Sequence, residues 1–337
     1  MRLKTKTCSL RRPMTELIDA YAHVGRPRFQ DADDYWHQAA RIGVARAVFS
    51  AFDSSPDLDY LLSLAATAPD RVRVLGVPVG SGRERRSSVQ SQLAAGAVGI
   101  RLGDRDLASV DGILDAVAES AGIAFVCGSG LSLAAQASEL VDYLEHYGEA
   151  IVLGGHFASP RQVSALSEGP VHDLFSHPRF YAVLSRHGAF APDVLVPWTE
   201  ALIDVSGWRH LMWGSESPVL HWRNETMASA AAWIDKFSPS ASERDAFFSE
   251  NARALFFDRP TQIRIELLDF DPWASAPVFP ATLWSNGVPV RQDIAGRLIQ
   301  SWNDSDDSSL PLGAHLEQLL NRVLPELRNP ASPIDAP

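Results

Sequence analysis

The stretch Ile18-Asp19-Ala20-Tyr21-Ala22-His23-Val24-Gly25 is an apolar run that opens into a loop, with one histidine at its mouth and a tyrosine two residues earlier. Alternate side chains of an extended chain share a face, so Tyr21 and His23 project together. Two histidines at this spacing would suggest a metal site, and a single one does not. If 17–22 is a first strand, it opens a series. Short apolar runs recur at 46–52, 72–79, 97–102, 123–127, 150–154, 180–185 and 210–213. Between them, stretches such as 31–42, 57–68, 131–146 and 192–205 carry apolar residues three and four apart, the helical spacing. Eight strand-then-helix units of roughly thirty residues each indicate an α/β fold with parallel strands. Such a series closes most naturally into a (β/α)8 TIM barrel. No GxGxxG follows the first strand, which disfavours an open doubly wound sheet.

The rhythm stops after Phe257. We expect a flexible N-terminus over residues 1–16, the barrel over 17–260, and a C-terminal extension over 261–337 packed on it. Residues 258–290, rich in proline and aromatics, suit a chain laid extended over a surface. Two short helices are expected at 292–302 and 312–327, and a disordered end. The run VGSGRERRSS, residues 79–88, lacks the GK[ST] of a P-loop and reads as a solvated loop rather than a phosphate grip.

The chain has 337 residues, 46% of them hydrophobic, enough for a sizeable core. A net charge of -11 argues against sequence-independent nucleic-acid binding and against anionic membranes. An anionic substrate would therefore need local arginines. Two cysteines, Cys8 and Cys127, make no disulfide framework, and no segment reads as a signal peptide or membrane span, so a cytoplasmic protein is expected.

Polar residues gather where strands should end. Tyr21 and His23 end the first strand, Arg101 lies in the fourth, and Cys127 ends the fifth. His156 follows the sixth, Ser185, Arg186 and His187 end the seventh, and Glu216 follows the eighth. In a barrel these meet at the C-terminal mouth. Each has a plainer reading: Glu216 as a helix cap, Arg101 as a buried ion-pair partner, Cys127 as a small buried hydrophobe with no neighbouring sequence to activate it.

Five pieces in order resemble the amidohydrolase-related branch of the amidohydrolase superfamily, barrel hydrolases and decarboxylases that include lactonases. They are IDAYAHVG; GIRL at 99–102; VLGGHFASP at 152–160; LMWGSESP at 211–218; and ENARALF at 250–256. The family usually has IDxHxH at the first piece and GSDxP at the fourth. Tyr21 and Glu216 therefore depart from its ligand pattern, as does Cys127, where metal-dependent members often place a histidine.

The resemblance implies a hydrolase, here read as metal-independent, that opens a lactone or related carboxylic derivative by acid/base activation of water. Glu216 would be the general base or acid, with His23 and His156 polarising a carbonyl or moving the proton. Arg101, and secondarily Arg186, would bind a substrate carboxylate. Tyr21 would hydrogen-bond the substrate or the developing oxyanion, and Cys127 would line the pocket. No cofactor is expected; the alternative is a divalent metal such as zinc on His23, His156 and Glu216. The partner is a small molecule, with a homodimer left open. Two other readings stay in play: a biosynthetic enzyme performing cyclisation, decarboxylation or elimination, and a catalytically silent binding barrel.

Overall fold

The computed structural model describes residues 16–258, apart from 55, 108–110, 128–131 and 224, together with strand segments 263–267, 281–285 and 288–290. Eight strands lie side by side in chain order: β1 (Leu17–Ala22), β2 (Val44–Ser50), β3 (Val72–Gly76), β4 (Gly99–Leu102), β5 (Ile123–Val126), β6 (Ile151–Gly154), β7 (Phe180–Leu184) and β8 (Leu211–Trp213). Every neighbouring pair is parallel. A parallel pair cannot be joined by a hairpin, so each connection crosses back over the sheet, and helices such as Ala32–Ala39, Leu58–Thr67, Ala137–His146 and Pro192–Ser206 do so. This is the expected (β/α)8 TIM barrel.

Two apolar layers hold it. Ile18, Val48, Leu75, Phe125, Leu153, Val183 and Met212 fill the interior, while Phe49, Val74 and Val152 face outward against helix residues such as Leu61, Val117, Leu140 and Trp198. Each such side chain stabilises the fold by about 1.5–3 kcal/mol when fully buried. Leu255 and Phe256 join the inner cluster, and Arg73 near the start of β3 donates to the Phe256 carbonyl at 3.0 Å. The ENARALF segment thus plugs the N-terminal end of the barrel.

The seam between β1 and β8 is closed just beyond the last strand. Glu216 N–H donates to the Tyr21 carbonyl at 2.8 Å, and His23 N–H donates to the Ser217 carbonyl at 2.7 Å. Gly214 permits the approach: a Cβ there would lie 2.5 Å from Val183 Cγ1 and 2.9 Å from Tyr21 Cβ. Asp19, wholly buried, ties the same seam by accepting from Ser215 N–H at 2.8 Å, Ser215 Oγ at 2.5 Å and Tyr35 Oη at 2.8 Å. Burial outweighs these bonds and raises its carboxyl pKa to about 6.

One expectation needs correction. RERRSS is the start of a helix, Arg83–Ala94, and not a loop. Two of its three arginines are engaged by acidic partners: Arg85 with Asp106 and Asp111, and Arg86 with Glu119 at 2.6 Å. Within the stretch expected to be extended, the strands Ile263–Leu267, Ala281–Ser285 and Val288–Val290 pair as an antiparallel sheet, in a second compact unit made of residues 94–96 and 260–337. The expected flexibility of residues 1–15, the two tail helices and the disordered end lie outside the described residues. Among those described, no helix is long and apolar enough to cross a membrane.

Candidate active site

Strand β1 aims the first two side chains. Its pairing with β2 shifts register between Asp19 and Ala22, so that Ala20 and Tyr21 both join the inner cluster while Ala22 faces outward. Tyr21 and His23 then project together, their ring centroids 4.9 Å apart. His23 Nδ1 lies 2.9 Å from the Ser50 carbonyl and its ring stacks on Phe29 at 4.8 Å. A carbonyl only accepts, so Nδ1 carries the proton and Nε2 is left with a lone pair. Burial lowers the His23 pKa to about 4, which keeps the ring neutral near pH 7.

Three further residues enter at sharp turns. His156, Arg186 and Glu216, which follow β6, β7 and β8, have φ of 54°, 65° and 56°. Phe157, Ala158 and Ser159 continue the left-handed run after β6, at φ between 52° and 63°. Left-handed backbone costs an L-residue about 1–2 kcal/mol. It is the turn that points these side chains back over the mouth.

There they form one connected network. Tyr21 Oη lies 3.4 Å from Cys127 Sγ, which lies 3.1 Å from His156 Nε2; His156 Nδ1 lies 3.0 Å from Ser185 Oγ. His156 Nε2 is also 3.7 Å from Glu216 Oε1. Glu216, 1% exposed, accepts from Arg186 Nε at 3.0 Å and from Arg223 at 2.7 Å. Arg223 also donates to Glu225 at 2.6 Å, and Glu225 meets His187 at 3.0 Å. Gly188 makes room for Glu225, since a Cβ there would fall 2.6 Å from Oε1.

The charges of this network are set by their neighbours. Burial disfavours the Glu216 carboxylate, but His156, Arg186 and Arg223 outweigh it and bring the pKa down to about 2. Burial likewise raises the Cys127 thiol, yet His156 and Arg101 prevail and lower it from 9.0 to about 6. Tyr21 is driven well above 10 by burial and by Cys127, so its phenol keeps its proton and is a donor. Burial opposes the Arg101 charge, but Tyr21 and Cys127 beside it raise its pKa on balance.

Arg101 lies against Tyr21 and Cys127, with a side-chain hydrogen bond to each. Its guanidinium lies over Phe52 at 4.8 Å and 3.7 Å from Asp53 Oδ1, while its buried Nε has no hydrogen-bond partner. Arg28 covers Phe52 as well, at 4.2 Å.

All seven expected site residues, Tyr21, His23, Arg101, Cys127, His156, Arg186 and Glu216, thus lie at the C-terminal mouth. Arg186 is held by Glu216 instead of standing open for a substrate. Sequence reasoning missed Arg223 and Glu225, whose signal was a charged pair in the loop that directly follows GSESP. It also missed the link between Cys127 and His156, which lie 29 residues apart. Among the described residues, no three His, Cys, Asp or Glu side chains are arranged to hold a metal ion. The donor set is a poor fit for one, because both Glu216 oxygens face arginines and Tyr21 offers a protonated phenol.

Residues 10–257 match the sequence model of the amidohydrolases. No curated protein matches the chain. Among solved structures, it is similar to a protein from Pseudomonas putida provisionally assigned as a 2-pyrone-4,6-dicarboxylic acid hydrolase, at 22% identity over 72% of this chain and 97% of that one, TM-score 0.57. It is also similar to 5-carboxyvanillate decarboxylase from Sphingomonas paucimobilis, at 13% identity over 72% and 99%, TM-score 0.56. An amidohydrolase from Burkholderia multivorans with bound zinc is similar at 17% identity over 71% and 98%, TM-score 0.56. At these identities the likeness to solved structures is one of fold. The sequence match, which spans more than half the chain and all eight barrel strands, shows that this protein belongs to the amidohydrolase family.

Proposed function

We propose that this barrel is a metal-independent hydrolase that opens a carboxylated lactone or a related carboxylic derivative. One observation carries the reading: the Arg101 guanidinium, with an unpartnered Nε, faces the same mouth as the hydrogen-bonded chain Tyr21–Cys127–His156–Ser185. A guanidinium binds a carboxylate in two-point fashion, so Arg101 anchors the substrate. Tyr21, a protonated phenol, donates to the oxyanion that forms as the carbonyl is attacked. His156 moves the proton, and neutral His23 offers its Nε2 as an acceptor to the substrate or to water.

Glu216 takes a different part from the general acid/base one that its sequence position suggests. A carboxylate with a pKa near 2 and two guanidinium partners is a weak base. Its charge instead holds Arg186 and Arg223 and faces His156, where it steadies the imidazolium that forms during proton transfer. The same engagement of both oxygens, together with Tyr21 in the first-strand position, supports chemistry without a metal.

The test is a panel of lactones with and without a carboxylate, followed by product mass. Addition of one water to a carboxylated lactone is expected. Arg101→Gln should raise KM for that substrate about tenfold or more, equivalent to roughly 1.4 kcal/mol, and leave the KM of a neutral ester unchanged. Activity should survive exhaustive chelation with no metal in the purified protein; loss restored by zinc would overturn the metal-independent reading. Release of carbon dioxide without ring opening would identify a decarboxylase, and no turnover across the panel would favour the binding barrel.

A further inference from the structure

Cys127 lies just past the end of β5 at the catalytic face, and its surroundings are not those of an apolar filler. Its Sγ has a histidine nitrogen at 3.1 Å and a phenol oxygen at 3.4 Å. On another side the chain is Gly155, where a Cβ would sit 3.1 Å from the sulfur; glycine leaves that flank uncrowded. His156 is in turn held by Ser185 through its other ring nitrogen, at 3.0 Å. In the tautomer with Nδ1–H donating to Ser185 Oγ, Nε2 is free to accept the proton of Sγ. A nucleophile, a base within hydrogen-bond reach and a third group that orients the base make up the arrangement required for covalent catalysis. Three consecutive strands, β5, β6 and β7, supply one member each. Glu216, whose oxygens are both held by arginines, offers no comparable base for direct attack by water.

We propose that Cys127 is the covalent nucleophile of this enzyme, with His156 as its general base and Ser185 as the residue that positions His156. The proposal rests on the hydrolase reading above. His156 Nε2 takes the Sγ proton, and the sulfur attacks the substrate carbonyl carbon: a C–S bond forms and the carbonyl electron pair moves to oxygen, facing the Tyr21 hydroxyl. The oxyanion collapses, the C–O bond breaks, and the leaving oxygen takes the proton from His156. This leaves a thioester on Cys127. Water then gives a proton to His156 and attacks the thioester carbon; collapse of that adduct breaks the C–S bond, the departing sulfur takes the proton back from His156, and the acid is freed. The sum is one water consumed per ester bond opened.

The experiment uses the full chain with p-nitrophenyl acetate as the acyl donor. Expected is a burst of p-nitrophenol equal to the enzyme present, with an acetyl group found by peptide mass spectrometry on Cys127 and then released. Cys127→Ala and Cys127→Ser, checked for fold by circular dichroism, should lose the burst and slow turnover of the wild-type lactone substrate by roughly 100-fold or more. His156→Gln keeps the sulfur but should slow its capture by iodoacetamide at neutral pH. Acetylation only at other residues, or no burst from wild type, would overturn the proposal. So would lactone hydrolysis undiminished in Cys127→Ala, an outcome that leaves the hydrolase reading standing. Acetylation and turnover at Cys127 with no lactone in the panel opened would instead keep the nucleophile and sink the lactonase reading.

Discussion

Glu216 shows how a residue's task depends on what surrounds it. With a water-facing environment it would be an ordinary base; between Arg186 and Arg223 it is an electrostatic post. Glu216→Gln keeps the shape and removes the charge, leaving two guanidinium groups partly unpaired. Breaking a wholly buried pair costs about 3–5 kcal/mol, and the partial exposure of Arg186 reduces that to about 2 kcal/mol, readable by urea unfolding. Turnover should fall roughly 100-fold as the imidazolium of His156 loses its counter-charge. Two buried groups set an opposing pH dependence. Asp19, with its pKa raised to about 6, stabilises the fold fully below its ordinary 3.8, and this is lost as pH rises through 6. His23, with its pKa lowered to about 4, contributes stability above its ordinary 6.5 that is lost as pH falls through 4. Between pH 4 and 6 each contributes up to about 1.4 kcal/mol per pH unit, with opposite sign. Relative to wild type, His23→Gln should therefore lose stability as pH rises through this window, and Asp19→Asn should gain it. Urea midpoints at several pH values check this; parallel profiles in the two variants would refute it.

At the scale of elements, backbone geometry at their ends does the positioning. The helix Ile113–Glu119 ends with Ala121 N–H donating to the Ala118 carbonyl at 2.8 Å and Gly122 N–H to the Val117 carbonyl at 2.7 Å. This is a Schellman ending, and its left-handed position, φ 47°, is held by alanine where glycine is usual. Ala121→Gly should therefore raise stability by about 0.5–1 kcal/mol, since relief of the left-handed strain exceeds the added chain entropy. Thermal unfolding measures it, and a lower midpoint would count against the assignment. The left-handed turns at 156–159, 186 and 216 have a different purpose: they aim side chains, and His156 and Glu216 are wanted inside.

On the scale of the whole molecule, an acidic chain carries a mouth built around arginines. Under the proposed function, a charge of -11 would repel the anionic substrate at long range, while Arg101 would attract it close in. At about 0.01 M salt the screening length is near 30 Å, and the whole charge is felt; at about 0.15 M it is near 8 Å, and only the mouth is. Near 1 M even that attraction is screened. Accordingly, kcat/KM for a carboxylated substrate should pass through a maximum near physiological ionic strength, and a neutral ester should show none. Initial rates across a salt series read this directly.

The eight strands and their order were legible in the amino-acid sequence, because each strand is a short apolar run and each crossover a helical repeat, and burial enforces both locally. The motifs IDAYAHVG, GGHFASP and GSESP were legible for the same reason, since each marks a strand's end. RERRSS misled because its helix exposes charge on most faces and buries little, with Val89, Gln92 and Leu93 its buried residues. What only the tertiary structure decided is which strand ends touch. Closure of β1 against β8 brought Glu216 beside Tyr21, and the turn after β6 set His156 against Cys127. Sequence supplied a lone cysteine and a lone histidine; their 3.1 Å separation, and the arginines that fix the charge of Glu216, exist only because the barrel gathers residues far apart in the chain into one low-dielectric mouth.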